Sequence, residues 1–192
     1  MARSTTPADL RGLCPRCFLA SGMCVCGALD RRASRVSILI LRHASERWST
    51  TNTARWVGLS LEGVEIRDYG GVDLPPLTIE EATTAGAWLL YPTQDGAPAP
   101  DPKTARPSRL IVPDGRWQHA RRLVSRHLAG LPRLALVERP QPLPALRSAE
   151  RPERRSTLEA IADALEALDD AASAAMLREN FRKILERRPQ KA

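Results

Sequence analysis

The sequence predicts an α/β protein with a mostly parallel sheet, and three observations carry that prediction. Short apolar runs recur at residues 35–41, 87–92 and 110–112, and the first and last are rich in β-branched residues. Nearly continuous runs of this kind belong to strands buried on both faces, as in a parallel sheet covered by helices. Between and after them lie stretches with apolar residues at helical spacing, several opened by capping sequences. A chain of 192 residues, 43% of them hydrophobic, is long enough for one domain with a real core, or one domain with a small appendage.

Composition narrows the class further. No apolar run approaches the ~18 residues a membrane span requires. The first thirteen residues lack the apolar centre of a signal peptide, so a cytoplasmic protein is expected. In that compartment, four cysteines within thirteen positions suggest metal binding rather than disulfides. The net charge of +7 is unevenly spread. Between Lys103 and Arg155 thirteen Lys and Arg stand against four acids, which makes that segment +9 and the remainder −2. A concentrated arginine field points to a polyanion, most simply nucleic acid; an arginine-rich genome produces a similar excess without function.

In chain order, Cys14, Cys17, Cys24 and Cys26 form C-x2-C-x6-C-x-C. Two thiolate pairs can close a tetrahedron around structural Zn²⁺ and leave no open position for catalysis. The short spacer predicts a tight knob with little core of its own, flanked by Arg11, Arg16, Arg31 and Arg32 in a manner suited to RNA contact. Residues 35–41 read as the first buried strand, with His43 just past its end as a hydrogen-bonded strand-end histidine. The cap formers Thr50, Thr51, Asn52 and Thr53 precede a helix over residues 54–61. Residues 64–69 alternate as a strand and stop at Gly70-Gly71. Thr78-Ile79-Glu80-Glu81 fits a capping box for a short helix ending at Gly86. Residues 87–92 form the next buried strand, and residues 93–108 a surface loop.

Leu110-Ile111-Val112 then runs into Pro113-Asp114-Gly115-Arg116-Trp117-Gln118-His119-Ala120-Arg121, a strand exit followed by a helix. Ligands of open α/β sheets bind outside strand carboxyl ends, and backbone N–H groups of the next helix add a favourable field. Asp114 there serves either as the helix N-cap or as a chemically active carboxylate. Trp117, Ala120, Val124 and Leu128 are expected to face the core, leaving His119, Arg122 and Arg126 as a basic ridge. Residues 134–137 read as a further short strand, followed by a Pro- and Arg-rich stretch to Arg155. Ser156-Thr157-Leu158-Glu159 opens a long amphipathic helix, and Asp169-Asp170 a last one, fraying beyond Arg187. No GxGxxG, Walker loop or Ser/His/Asp arrangement occurs.

Taken together, the ordered motifs resemble the DTW-domain family. They are the four cysteines; His43 with Glu46 and Thr51-Asn52-Thr53; Leu90-Tyr91-Pro92; Asp114-Gly115-Arg116-Trp117 with Ala120-Arg121; Leu146-Arg147; and Ser156 through Ala160. The resemblance spans roughly residues 11–185. It implies a tRNA-uridine aminocarboxypropyltransferase, which moves the 3-amino-3-carboxypropyl group of S-adenosylmethionine to N3 of a uridine and releases methylthioadenosine. It further implies a SPOUT-like fold with a knotted cofactor site over residues 31–188, preceded by a zinc knob at 11–30.

On this footing Asp114 is the candidate general base or N3-orienting acceptor. Thr51, Asn52, Thr53, Leu90, Tyr91, Pro92, Gly115, Leu146, Arg147, Ser156 and Thr157 are the candidate cofactor residues, and Arg116, His119, Arg121, Arg122 and Arg126 the candidate RNA contacts. One departure stands out: the family motif is Asp-x-Thr-Trp, and here Arg116 replaces the threonine. Two other readings remain open at this level, a SPOUT-type RNA methyltransferase and a non-catalytic zinc-containing RNA-binding protein.

Overall fold

The computed structural model describes residues 11–78, 85–92, 99–136 and 155–188. Its centre is a four-stranded parallel sheet built from β1 (Arg32–His43), β2 (Leu61–Tyr69), β3 (Ala87–Leu89) and β4 (Arg109–Asp114). The spatial order is β2-β1-β4-β3, so the two longest apolar strands, β1 and β4, lie side by side at the centre. Their register pairs Ile40 with Val112 and Arg42 with Asp114, while His43 pairs with Tyr69 of β2.

Strand alternation divides the apolar side chains between two cores. Ile38, Ile40, Leu110, Val112, Trp88 and Leu90 point to the larger one, shared with α1 (Thr53–Ser60), α3 (Thr157–Ala167) and α4 (Ala171–Arg187). Leu39, Leu41, Ile111, Leu89 and Tyr91 point to the smaller one, covered by α2 (Trp117–Leu123) and the π-helical turn Val124–Leu128. Both strand faces are therefore dry, which explains the near absence of polar interruptions in the apolar runs.

The helix starts follow the local chemistry. Asn52 caps α1 by accepting from the Arg55 N–H at 3.3 Å. Ser156 and Glu159 form the expected reciprocal capping box on α3. Asp170 caps α4 through Ser173 and also accepts from the Arg35 N–H of β1, tying the last helix to the first strand. The cysteine segment is pinned to this body: Cys17, Leu19 and Val25 belong to the larger core, the Trp56 indole donates to the Cys17 carbonyl at 2.9 Å, and Asn180 of α4 bonds both backbone groups of Asp30.

Four expectations need correction. Asp114 ends β4 and does not cap the next helix; the N-cap of α2 is Arg116, whose side chain makes no capping bond. Trp117 does not face the core: it is 49% exposed, at the first residue of α2, with one ring face on Tyr91. Residues 134–136 form no strand; a single parallel bridge joins Arg133 to Leu89, with Leu134 donating to the Leu89 carbonyl. The strand expected over 87–92 is limited to Ala87–Leu89. The capping-box helix at Thr78–Glu81 and the motif Leu146-Arg147 lie wholly or mainly outside the described residues.

Candidate functional site

Neighbouring strands β1 and β4 send their chains to opposite faces of the sheet. After His43 a short 3₁₀ turn, Ala44–Glu46, leads to α1 on the larger core; after Asp114 and Gly115 the chain enters α2 on the smaller one. Such a reversal opens a crevice at the carboxyl ends of the two strands, where open α/β sheets place their ligands. The side chains at these exits are polar although the strands behind them are apolar: His43 from β1, Tyr69 from β2, Asp114 from β4 and His119 from the first turn of α2.

Asp114 is only 6% exposed. One carboxylate oxygen accepts from Asn52 Nδ2 at 2.7 Å, the other from the Thr157 hydroxyl at 2.5 Å. Asn52 also receives Arg42 Nη1 at 3.4 Å on its carbonyl oxygen, and Arg42 holds Asp68 in two bonds of 2.7 and 3.1 Å. Thr53 Oγ1 accepts from the Leu158 N–H. The strand end and the N-termini of α1 and α3 are thus stitched together by one buried polar brace. Burial pushes the Asp114 carboxyl above its ordinary range; the Thr157 and Asn52 bonds oppose this, nearby Glu46 adds to it and Arg42 resists it.

His43 is clamped on all sides. Its ring stacks on His119 with centroids 3.7 Å apart and meets Tyr69 edge-on at 5.3 Å. A Cβ at Gly70 would lie 2.9 Å from His43 Nε2, and one at Gly115 would lie 3.0 Å from His43 Cβ; with φ of +74° and +155°, both positions require glycine. The Ser45 N–H donates to His43 Nδ1 and the Ser45 hydroxyl lies 2.8 Å from the same atom, so the ring proton sits on Nε2. Burial lowers the pKa of both histidines; the other ring and Arg116 add to this at His43, and Arg116 and Arg122 at His119, while Glu46 opposes. The Tyr69 hydroxyl and His119 Nδ1 are buried without a partner among the described residues.

On the adjoining α2 face, Trp117 stacks on Tyr91 with centroids 5.2 Å apart and planes 9° from parallel. Two neighbouring hollows open beside them. One of about 300 Å³ is lined by Tyr91, Arg121, Val124, Ser125, Ala129 and Arg133; the other, shallower and of about 390 Å³, lies along Trp117, Arg121, Arg122 and Arg126. No acid among the described residues lines either.

The structure therefore gathers Asp114, Asn52, Thr53, Ser156, Thr157 and Gly115 at the strand exits. It sets Arg116, Arg121, Arg122 and Arg126 on the exposed side of α2 and its π turn, with His119 facing inward onto His43. Thr51 sits in the turn before α1, its hydroxyl 3.1 Å from that of Ser49. Leu90 has its side chain in the larger core and its N–H committed to the Ile111 carbonyl, leaving only its own carbonyl for a ligand. Pro92 is exposed and its carbonyl accepts from Arg133 Nη1 at 2.9 Å. Sequence reasoning missed Arg42, Asp68, Tyr69 and Arg133. Arg42 was the readable one, an arginine at the end of an otherwise apolar strand, which must have a partner to be buried there.

The four cysteine sulfurs lie within 4.8 Å of one another, with separations of 3.4, 3.8 and 3.9 Å among those in contact, and can hold a metal ion. Burial raises the Cys17 and Cys26 thiols. At Cys14 burial acts in the same sense but is outweighed by bonds from the Cys17 and Arg16 backbone and from neighbouring thiols, which bring it down to about 6. No helix among the described residues is long and apolar enough to cross a membrane.

Sheet, strand-exit crevice and arginine-lined face define a parallel α/β protein with a polar site at its strand exits and a cationic surface beside it. A family model, the DTW domain, matches residues 11–189. The chain belongs to the DTW-domain family, a family linked to tRNA modification. No curated protein and no solved structure shows a significant match.

Proposed function

We propose that this protein transfers the 3-amino-3-carboxypropyl group of S-adenosylmethionine to N3 of a tRNA uridine and releases methylthioadenosine. The observation that carries the proposal is the strand-exit crevice of a DTW-domain chain, where a buried carboxylate with spare acceptor capacity stands beside an unopposed arginine face. Asp114 accepts one protein bond on each oxygen, and a carboxylate offers about four lone-pair sites. Its raised pKa suits it to receive the N3–H of uridine as N3 bonds to the methylene carbon and the carbon–sulfur bond breaks. S-adenosylmethionine supplies three electrophilic carbons on one sulfonium, so orientation selects the product, and an error of about 1 Å can reduce the rate about 100-fold.

The brace residues Asn52, Thr53, Ser156 and Thr157, with Thr51 and Gly115 beside them, hold the crevice walls in place and lie where the cofactor's carboxylate or ribose would sit. Backbone groups near Tyr91 and Gly115, together with Arg147, complete the cofactor site in this reading. Arg116, Arg121, Arg122 and Arg126 meet the RNA by binding phosphates, and His119, expected among them, instead backs that face from its stack on His43. Arg116 in place of threonine leaves α2 without a side-chain cap but adds a cation on that face. The SPOUT-like knot, the division into a knob at 11–30 and a catalytic domain at 31–188, and cytoplasmic location are part of the same proposal.

Zinc is the ion we assign to the cysteine cluster. A tetrahedron with Zn–S bonds of about 2.3 Å has edges of about 3.8 Å, close to the sulfur separations observed. With all four positions filled by thiolates its role is structural.

The test is incubation of tRNA with the protein and S-adenosylmethionine, followed by mass spectrometry of nucleosides and of the spent cofactor. Aminocarboxypropyluridine with methylthioadenosine is expected. S-adenosylhomocysteine would make the protein a methyltransferase, and an unconsumed cofactor an RNA-binding protein.

A further inference from the structure

Trp117 and Tyr91 present an arrangement that neither the transfer reaction nor the fold requires. Trp117 leaves half its surface in water, yet its ring is held flat against Tyr91. Tyr91 is itself 8% exposed, and its buried hydroxyl has no partner among the described residues. Arg133 is 5% exposed, sits with its guanidinium 5.7 Å from the Tyr91 ring centroid, and keeps a buried, unpartnered Nε. Its one hydrogen bond among the described residues goes to the Pro92 carbonyl, and no carboxylate pairs with it there. A buried cation with no counter-charge is costly unless an anion visits it. Arg133, Arg121 and Tyr91 all line the same hollow of about 300 Å³, and Trp117 borders the next.

We infer that this platform is a subsite for an unpaired nucleotide flanking the modified uridine, with its base on the open face of Trp117 and its phosphate in the hollow between Arg121 and Arg133. An exposed, rigidly backed indole face accepts a base only when that base is free of its own stack, so the surface selects RNA loops over duplexes. Stacking tolerates any base, so the indole face recognises looped-out RNA rather than a sequence; Gln118, which lines the outer hollow beside Trp117, is the side-chain amide placed to touch a base edge. Tyr91 keeps the indole flat and brings its hydroxyl and the Arg133 guanidinium to the phosphate. The inference rests on the RNA half of the reading above, not on which group is transferred.

The test measures binding of two RNAs of equal length, a stem–loop and a fully paired duplex, to the whole zinc-loaded protein by fluorescence anisotropy. The wild type is compared with Trp117→Ala, Trp117→Phe and Arg121→Gln. Both positions are exposed, and unchanged thermal unfolding checks that each variant folds. Trp117→Ala is expected to weaken stem–loop binding about 5- to 150-fold, the loss of one stacked base, and to leave duplex binding unchanged. Trp117→Phe retains most of the affinity. Arg121→Gln weakens stem–loop binding and reduces the slope of log K against log salt by about 0.7.

Wild-type affinity of Trp117→Ala for the stem–loop, an equal loss on both RNAs, or no preference of the wild type for the loop overturns the subsite. Methylthioadenosine release, followed in parallel on whole tRNA, separates the two proposals. A Trp117-dependent loop preference without release leaves the subsite standing and removes the transferase reading. Release that falls in Trp117→Ala at unchanged RNA affinity does the reverse.

Discussion

Asp114 carries two loads, and single substitutions separate them. As a brace it satisfies buried donors from Asn52 and Thr157; as the base of the proposed transfer it would have to hold charge. Asp114→Asn retains a side chain that can bond both neighbours. It is expected to unfold within a few degrees of the wild type while methylthioadenosine release drops about 100- to 10,000-fold. Asp114→Ala leaves two buried donors unpaired, and is expected to lose stability by roughly 1–3 kcal/mol for each in addition to activity. Release by Asp114→Asn at the wild-type rate would leave Asp114 as scaffold alone. The stacked histidines make a separate prediction about pH. Both have folded pKa values below the ordinary histidine value of 6.5, so below about pH 6.5 the unfolded chain binds more protons and stability falls as the pH falls. Asp114, with its pKa raised, acts oppositely in the window just above its unfolded pKa of 3.8. Melting curves between pH 7.5 and 5.5 should show a declining midpoint, and His119→Gln should flatten the decline; an equally steep curve for that variant would acquit the pair.

The elements that matter most are two helix N-termini. The capping box on α3 does more than start a helix, because Thr157, the next residue, holds Asp114. Ser156→Ala is expected to reduce stability by about 1 kcal/mol and to lower turnover as well, by loosening that bond; an activity equal to wild type would detach the cap from the site. Helix α2 and its π turn place Arg122 and Arg126 on the outer side, where no acid among the described residues lines the hollow. Replacing both by glutamine should weaken tRNA binding at low salt and lower the log–log salt slope by about 1.4 to 1.8, read from titrations at several salt concentrations. These helices were legible because caps and apolar spacing are local. That Trp117 turns outward was not: its spacing matched Ala120, Val124 and Leu128, and only the tertiary placement of the first turn, with His119 on His43 and Trp117 on Tyr91, decides which of its side chains reach solvent.

At the scale of the molecule, the cysteine segment is continuous with the larger core through Cys17, Leu19 and Val25 and is latched by Trp56 and Asn180. Stripping the metal should therefore destabilise the whole fold in one transition, not release a separate knob. Calorimetry with and without a strong chelator, alongside metal analysis giving one zinc per chain, checks this; a chelator-insensitive midpoint would end the structural-metal assignment. The same continuity explains the parallel sheet. Its two dry faces require helices on both sides, and the carboxyl ends of β1 and β4 are left as the place where polar groups can gather.

The class of the fold, the capping segments of α1, α3 and α4, the four-cysteine cluster and the ordered family motifs were all determined by the sequence alone. Each is written in neighbouring residues, as periodicity, a cap formula or a spacing. What only the tertiary structure decided is how distant residues share work. It joins Asp114 to Asn52 and Thr157, 62 and 43 positions away, and stacks His43 on His119. It also seats Arg133 beneath Tyr91 with no acid among the described residues to meet it. A hydrogen bond between strand end and helix start, or a charge left uncompensated in a hollow, has no local signature, because it is set by where whole elements come to rest against one another.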